Sequence, residues 1–228
     1  MEASKCYGQA KRLDKENYQI LRDWGLIQMQ LRNTEGYLDA RRQMLDMKAD
    51  QRANFIGLAV AYAFNDQPES AVRVLDAHLN MVEKKEDLEI KEIFMYRNQL
   101  LRLYEEKKAV LADLDKLEAM KCDPQWILEQ RAEIVSESGD TEEALKLYER
   151  LFDRMPSNKR FFDEIMKCLK IEVGSSAYMQ KIEEYKSKHP RSQFLRVLPL
   201  SLVDNKDAFE TQIAEYLKNG MRRGNFSF

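Results

Sequence analysis

The chain has 228 residues, with 37 Lys and Arg against 39 Asp and Glu and a net charge of −2, so it lacks the strongly basic balance of a nucleic-acid binder and no direct sequence-specific nucleic-acid binding is expected. A hydrophobic content of 44%, with only eight Gly and five Pro, fits long helices joined by short turns. The three cysteines, Cys6, Cys122 and Cys168, are far apart and form no CxxC, which argues against a disulfide framework or zinc site, and no run of about 18 apolar residues offers a membrane span.

Residues 2–13 place Ala3, Tyr7 and Ala10 on one helical stripe, the spacing that recurs at Ala144, Tyr148 and Leu151. They read as the second helix of a pair whose first helix is missing, which makes the chain a fragment or one begun at an internal start. The other reading is an ordinary capping helix.

Residues 18–49 form the first whole pair. Leu21, Trp24, Gly25 and Gln28 stand 34 positions before Phe55, Leu58, Ala59 and Tyr62. Asn33-Thr34-Glu35-Gly36 is the expected turn, and the helix after it, from about Glu35 to Met47, carries Tyr37, Met44, Leu45 and Met47, with Arg41 and Arg42 out of pattern. Gly25 in mid-helix costs about 1 kcal/mol relative to Ala, which close helix packing would explain. Residues 52–83 repeat the plan, with a turn at Asn65-Asp66-Gln67-Pro68 and a second stripe of Ala71, Leu75 and His78. His78 has no ligand-type neighbours in register and reads as a partly exposed helix residue.

A charged insertion, VEKKEDL, spans 82–88. The next helix is expected from about Glu89, with Ile93, Tyr96, Leu100 and Leu103 on its stripe. A turn at Glu105-Glu106-Lys107-Lys108 leads to a partner lined by Ala109, Leu111, Leu114, Leu117 and Met120, and Asp123-Pro124 opens the helix that contains Trp126.

The pattern is plainest from Gln125 to Ser192, where two copies lie end to end. Pro156/Pro190, Leu128/Phe162, Val135/Leu169, Tyr148/Ile182 and Leu151/Tyr185 are all 34 residues apart. Gly139-Asp140 breaks the first copy, and Asp140 offers an N-cap to the helix carrying Ala144, Tyr148 and Leu151. A helix-turn-helix recurring at 34 residues is the mark of tetratricopeptide repeats, which cannot bury an apolar face singly and must stack. The expected fold is therefore all-α. A half repeat over 2–15 and about five helix pairs reach residue 192 and wind as a right-handed superhelix, an α-α solenoid. A non-consensus helical extension covers 193–228, where Pro199 interrupts an apolar run and a last amphipathic helix carries Phe209, Ile213, Tyr216 and Leu217.

No phosphate-binding glycine loop, HExxH or GxSxG occurs, so neither catalysis nor a cofactor or metal site is expected. What such an array offers is the face lined by its first helices. The register places Arg22, Leu26, Ile56, Val60, Phe94, Asn98, Trp126, Glu129, Glu133, Asp163 and Lys167 there as candidate partner-binding residues. For Phe94 and Trp126, packing between pairs is an equal reading. Asn98 alone fits the Lys/Asn clamp that some repeats use for a carboxylate, so a helix or folded partner suits the face better than an acidic tail. The Lys/Arg pairs 11–12, 41–42, 84–85 and 222–223 read as solvated edges, with phosphate contact as their alternative.

The segments LDKENYQILRDWGLIQMQLRNTEGYLDARRQML, QRANFIGLAVAYAFNDQPESAVRVLD and HPRSQFLRVLPLSLVDNKDAFETQIAEYLKNGMRRG carry more than the repeat consensus. They resemble the N-terminal region of the large auxiliary subunit of the N-terminal acetyltransferase A complex. Trp24 stands where an aliphatic residue is expected, Lys48 where a proline usually closes the pair, and the stretch after Gly224 lacks an expected proline. The resemblance implies a non-catalytic cytoplasmic scaffold that binds a separate catalytic acetyltransferase subunit and helps tether it to the ribosome. It implies no cofactor site in this chain, because the family's inositol-phosphate site and main catalytic-subunit wrap lie largely in later repeats. Two other roles stay open: a general tetratricopeptide adaptor of the chaperone co-factor type, and an RNA- or ribosome-contacting module.

Overall fold

In the computed structural model, residues 2–83, 87–203 and 206–222 are described. Among them run thirteen α-helices. They are α1 (Glu2–Leu13), α2 (Tyr18–Gln30), α3 (Thr34–Met47), α4 (Arg52–Ala63), α5 (Pro68–Met81), α6 (Leu88–Leu101), α7 (Lys107–Ala119), α8 (Pro124–Glu137), α9 (Thr141–Arg154), α10 (Lys159–Cys168), α11 (Ser176–Lys188), α12 (Gln193–Val197) and α13 (Lys206–Arg222). A 3-10 turn, Leu198–Leu202, opens at Pro199 and follows α12. The five expected pairs are α2/α3, α4/α5, α6/α7, α8/α9 and α10/α11. The chain divides into two compact units, Met1–Ile127 and Leu128–Phe228, with the division inside α8.

Helix starts follow side-chain chemistry. Asn17, Asn33, Asp87, Asp140, Asn158, Ser175 and Ser192 each accept a backbone N–H of the first turn they precede. Asn33-Thr34-Glu35-Gly36 is therefore not a free turn: Asn33 caps α3, which already begins at Thr34, because its Oδ1 takes the Gly36 N–H at 3.1 Å. Asn158 and Ser192 are 34 positions apart, so α12 starts where the first helix of another pair would start.

Two kinds of helix end recur. Arg32, Asp66, Lys121 and Lys170 take positive φ of 53–57°, all within pairs except Lys121, which follows α7 and precedes the next pair. The next residue's N–H reaches back to Gln28, Tyr62, Leu117 and Met166 respectively, the six-to-one bond of a Schellman motif. Gly139, at φ 83°, serves α8. At three junctions between pairs the chain leaves instead through Lys48, Met155 or His189, at φ of −142° to −121° and ψ of 66–72°. Pro156 and Pro190 then forbid further helix. After Lys48 there is no proline. Asn54 of the following helix caps that end, donating to the Met44 and Lys48 carbonyls at 3.2 and 2.9 Å.

In the first unit the core is strung along the chain. Leu21, Ala40 and Met44 join α2 to α3. Tyr37, Leu38, Leu58 and Ala61 join α3 to α4, and Ala59, Leu75, Ile90, Ile93 and Leu100 continue it to α6. The mid-helix glycine has its reason: a Cβ on Gly25 would lie 3.1 Å from that of Ala40. Arg41 and Arg42 also have one. Arg41 donates to the Tyr37 hydroxyl at 2.9 Å and lies where a Cβ on Gly57 would meet its Nη1 at 2.7 Å, while Arg42 donates to the Tyr62 hydroxyl at 3.2 Å. Arg97 of α6 holds Asp76 of α5 at 2.5 Å and Asp113 of α7 at 3.1 Å. Burial opposes its charge, but Asp76 and then Asp113 outweigh that and raise its pKa.

The second unit is aromatic. Phe152, Phe162, Tyr178, Tyr185 and Phe194 meet with centroids 5.3–5.9 Å apart, edge to face except for Phe152 and Phe162, which are tilted at 49°. The repeat positions Ala144, Tyr148, Leu151, Ile182 and Tyr185 are all buried, and burial followed by the nearby Glu164 and Glu133 pushes the Tyr148 hydroxyl up to about 12.

Several stripe positions differ from expectation. Ala3 is exposed, and α1 instead faces its neighbour with Ser4, Tyr7, Gly8 and Lys11. In the first turn of α7, Val110 is buried and Ala109 is outside, while Leu114 and Leu117 are buried as expected. Leu103 lies past the end of α6 and is 67% exposed. His78 is buried rather than partly exposed, because Phe55 stacks on its ring at 5.0 Å.

Candidate partner-binding grooves

The first helices of two consecutive pairs, α4 and α6, form a groove of about 420 Å3. From α4 come Arg52, Ile56 and Val60, one turn apart. From α6 come Glu89, Glu92, Ile93 and Tyr96. Arg52 and Glu89 join in an ion pair across it. The candidates Ile56 and Val60 are thus half-buried walls of a real concavity. Phe94, on the same helix as Ile93, packs against the hydrophobic core, so its packing role is the one observed.

Asn98 is corrected. It is 1% exposed, and its amide donates to the Asp113 carboxylate at 2.8 Å and the Val110 carbonyl at 3.3 Å. Those bonds tie α6 to α7 and leave no amide for a carboxylate ligand. Arg22 and Leu26 are exposed on α2, with Arg22 turned to its neighbour Asp23 at 3.2 Å and Leu26 49% exposed. Trp126 is half-buried in the first turn of α8.

The second unit has its own groove, of about 520 Å3, beside α10 and the start of α11. Asp163 and Lys167 line it together with Arg160, Met166, Ile171 and Tyr178. Its charges are matched locally. Asp163 holds Lys159 at 2.5 Å, Lys167 holds Glu164 at 2.6 Å, and Glu133 of α8 pairs with Arg160. Such exposed pairs are each worth about 0–1 kcal/mol, so they shape the wall more than they strengthen it. Glu129 is half-buried on α8.

Sequence reasoning missed Arg52, Glu89, Glu92 and the groove side of Ile93 and Tyr96. Arg52 was legible as the residue one turn before Ile56. The α6 residues were obscured by the insertion at 82–88, which shifts that helix off the 34-residue register. The basic pairs resolve differently. Lys11 lies over the Trp24 ring at 4.0 Å and binds Asp39 at 3.1 Å, and Arg41 and Arg42 are held by tyrosines. Lys84, Lys85 and Arg223 lie outside the described residues, as do the last residues of the tail. Among the described residues no group of three His, Cys, Asp or Glu is placed to hold a metal ion, and no helix is long and apolar enough to cross a membrane.

Paired helices at a 34-residue period, with grooves between them, define a helical-repeat protein of the tetratricopeptide class. A solved tetratricopeptide repeat protein from Parabacteroides merdae covers 99% of the chain with a TM-score of 0.58 at 16% identity, a likeness of fold alone; the chain covers 87% of that protein. The family model for the auxiliary subunit of N-terminal acetyltransferase A matches residues 88–227, and the chain belongs to that family. It is 33% identical over 226 residues to the human N-alpha-acetyltransferase 16, NatA auxiliary subunit, covering 98% of this chain and 26% of that protein. A solved structure of Naa15/Naa10 bound to HypK-THB matches 98% of the chain and 34% of its own with a TM-score of 0.76 and 30% identity. The chain thus spans about a quarter of the length of the curated relatives it matches.

Proposed function

We propose that this chain is a segment of the non-catalytic scaffold of an N-terminal acetyltransferase, binding the catalytic subunit and leaving acetyl transfer to it. The observation that carries the reading is the match to Naa15/Naa10 along 98% of the chain. The physical basis is consistent: helices whose backbone groups are satisfied internally supply shape and grooves with apolar walls, while most of the charged side chains lining them pair with one another. On this reading the protein works in the cytoplasm, where nascent chains emerge, with the ribosome as a second partner. The test is affinity capture of the full-length protein from its source cells. Co-purification of an acetyltransferase-fold subunit, with or without ribosomes, is expected; recovery of neither ends the assignment.

A further inference from the structure

We infer that the α4–α6 groove is a docking site for an amphipathic helix of a protein partner, one carrying two aliphatic side chains a turn apart and an arginine or lysine a turn beyond. The inference goes beyond the scaffold assignment and does not depend on it, since it rests on the walls of the groove alone.

Ile93 is buried at the floor, and Ile56, Val60 and Tyr96 are half-buried around it. The space of about 420 Å3 therefore takes aliphatic side chains. Of the three charged residues on the rim, Arg52 and Glu89 neutralise each other. Glu92 is exposed and has no hydrogen bond or ion pair among the described residues, so one negative charge stands unmatched beside the apolar floor. A cationic side chain answers it; an acidic tail finds no free cation here. The backbone decides the form of the occupant. Both walls are helices whose N–H and C=O groups are satisfied internally. An extended strand would bring unpaired amides to walls with nothing to offer them, whereas a helix brings none.

The test uses the whole 228-residue chain and a fluorescein-labelled alanine-based helical peptide with two leucines one turn apart and an arginine one turn further, read by anisotropy. Saturable binding is expected. Replacing the leucines by serine should abolish it, and replacing the arginine by glutamate should weaken it about tenfold. Glu92→Lys, at an exposed position that leaves the fold intact by circular dichroism, should reverse the preference toward the glutamate peptide. Val60→Asp should abolish binding of both. The inference is overturned if the arginine peptide does not saturate, if Glu92→Lys leaves the preference unchanged, or if the parent prefers the glutamate peptide. It is also overturned if sedimentation shows the chain self-associating through this groove, with association lost in Val60→Asp, because the occupant is then a second copy.

Discussion

The Tyr18 hydroxyl donates to Asn54 Oδ1 at 2.7 Å, across 36 positions. The same reach recurs in the second unit, where Tyr185 donates to Glu149 at 3.0 Å, Ser192 donates to the Pro156 carbonyl at 2.6 Å, and His189 meets Asp153 at 3.1 Å. One pair is fastened to the next at a spacing of one repeat plus two residues. At Asn54 the fastening carries most, because that amide is only 1% exposed and also closes the end of α3.

Asn54→Ala should therefore cost about 2–3 kcal/mol, since it orphans a hydroxyl and two carbonyls. Tyr18→Phe, which deletes one bond and leaves the amide's other partners, should cost about 1 kcal/mol. Urea denaturation of the two variants checks the order; equal losses would mean that water replaces the side chain.

Leu151 and Ala144 sit at 0% exposure on α9. Leu151→Ala should lose roughly 2–5 kcal/mol through the cavity it opens. Ala144→Trp should lose about 1–3 kcal/mol by overpacking. Thermal melts that match the parent in either case would refute the packing described.

Lys170 is exposed and holds φ 56°, a conformation that glycine adopts without a Cβ penalty. Lys170→Gly should stabilise the chain by about 0.5–1 kcal/mol, the relief of the left-handed strain less the added unfolded-state freedom. Chemical denaturation measures it, and a loss of stability would contradict the turn geometry.

His78 titrates against burial. Desolvation first, and then the Arg52 charge, lower its pKa from 6.5, and its Nε2 has no hydrogen-bond partner. The unfolded chain thus takes the proton more readily than the folded one. Stability should be full above the unfolded pKa and should fall as pH drops below it, until the folded pKa is passed. His78→Phe keeps the stack on Phe55 and should flatten the pH dependence of the melting temperature below about pH 6.5. An unchanged slope would place the acid sensitivity elsewhere.

Much of the repeat was legible in the residues. Asp140 as a cap, Gly139 as a breaker, Pro156 and Pro190 as stops and the stripe of Ala144, Tyr148 and Leu151 all follow from chemistry within a few residues. The candidate face was legible only in part. Ile56 and Val60 line a groove, but Asn98 turned inward to Asp113, because a first-helix position also faces the second helix of its own pair. Val110 takes the buried place expected of Ala109, one position along α7. The sequence by itself determined where helices start, stop and pair, since capping, φ preference and the helical period act over one or two turns. The tertiary structure alone decided which polar groups are spent inside and which remain for a partner, since that depends on how one pair is set against the next, through contacts such as Tyr18 with Asn54 that lie 36 residues apart.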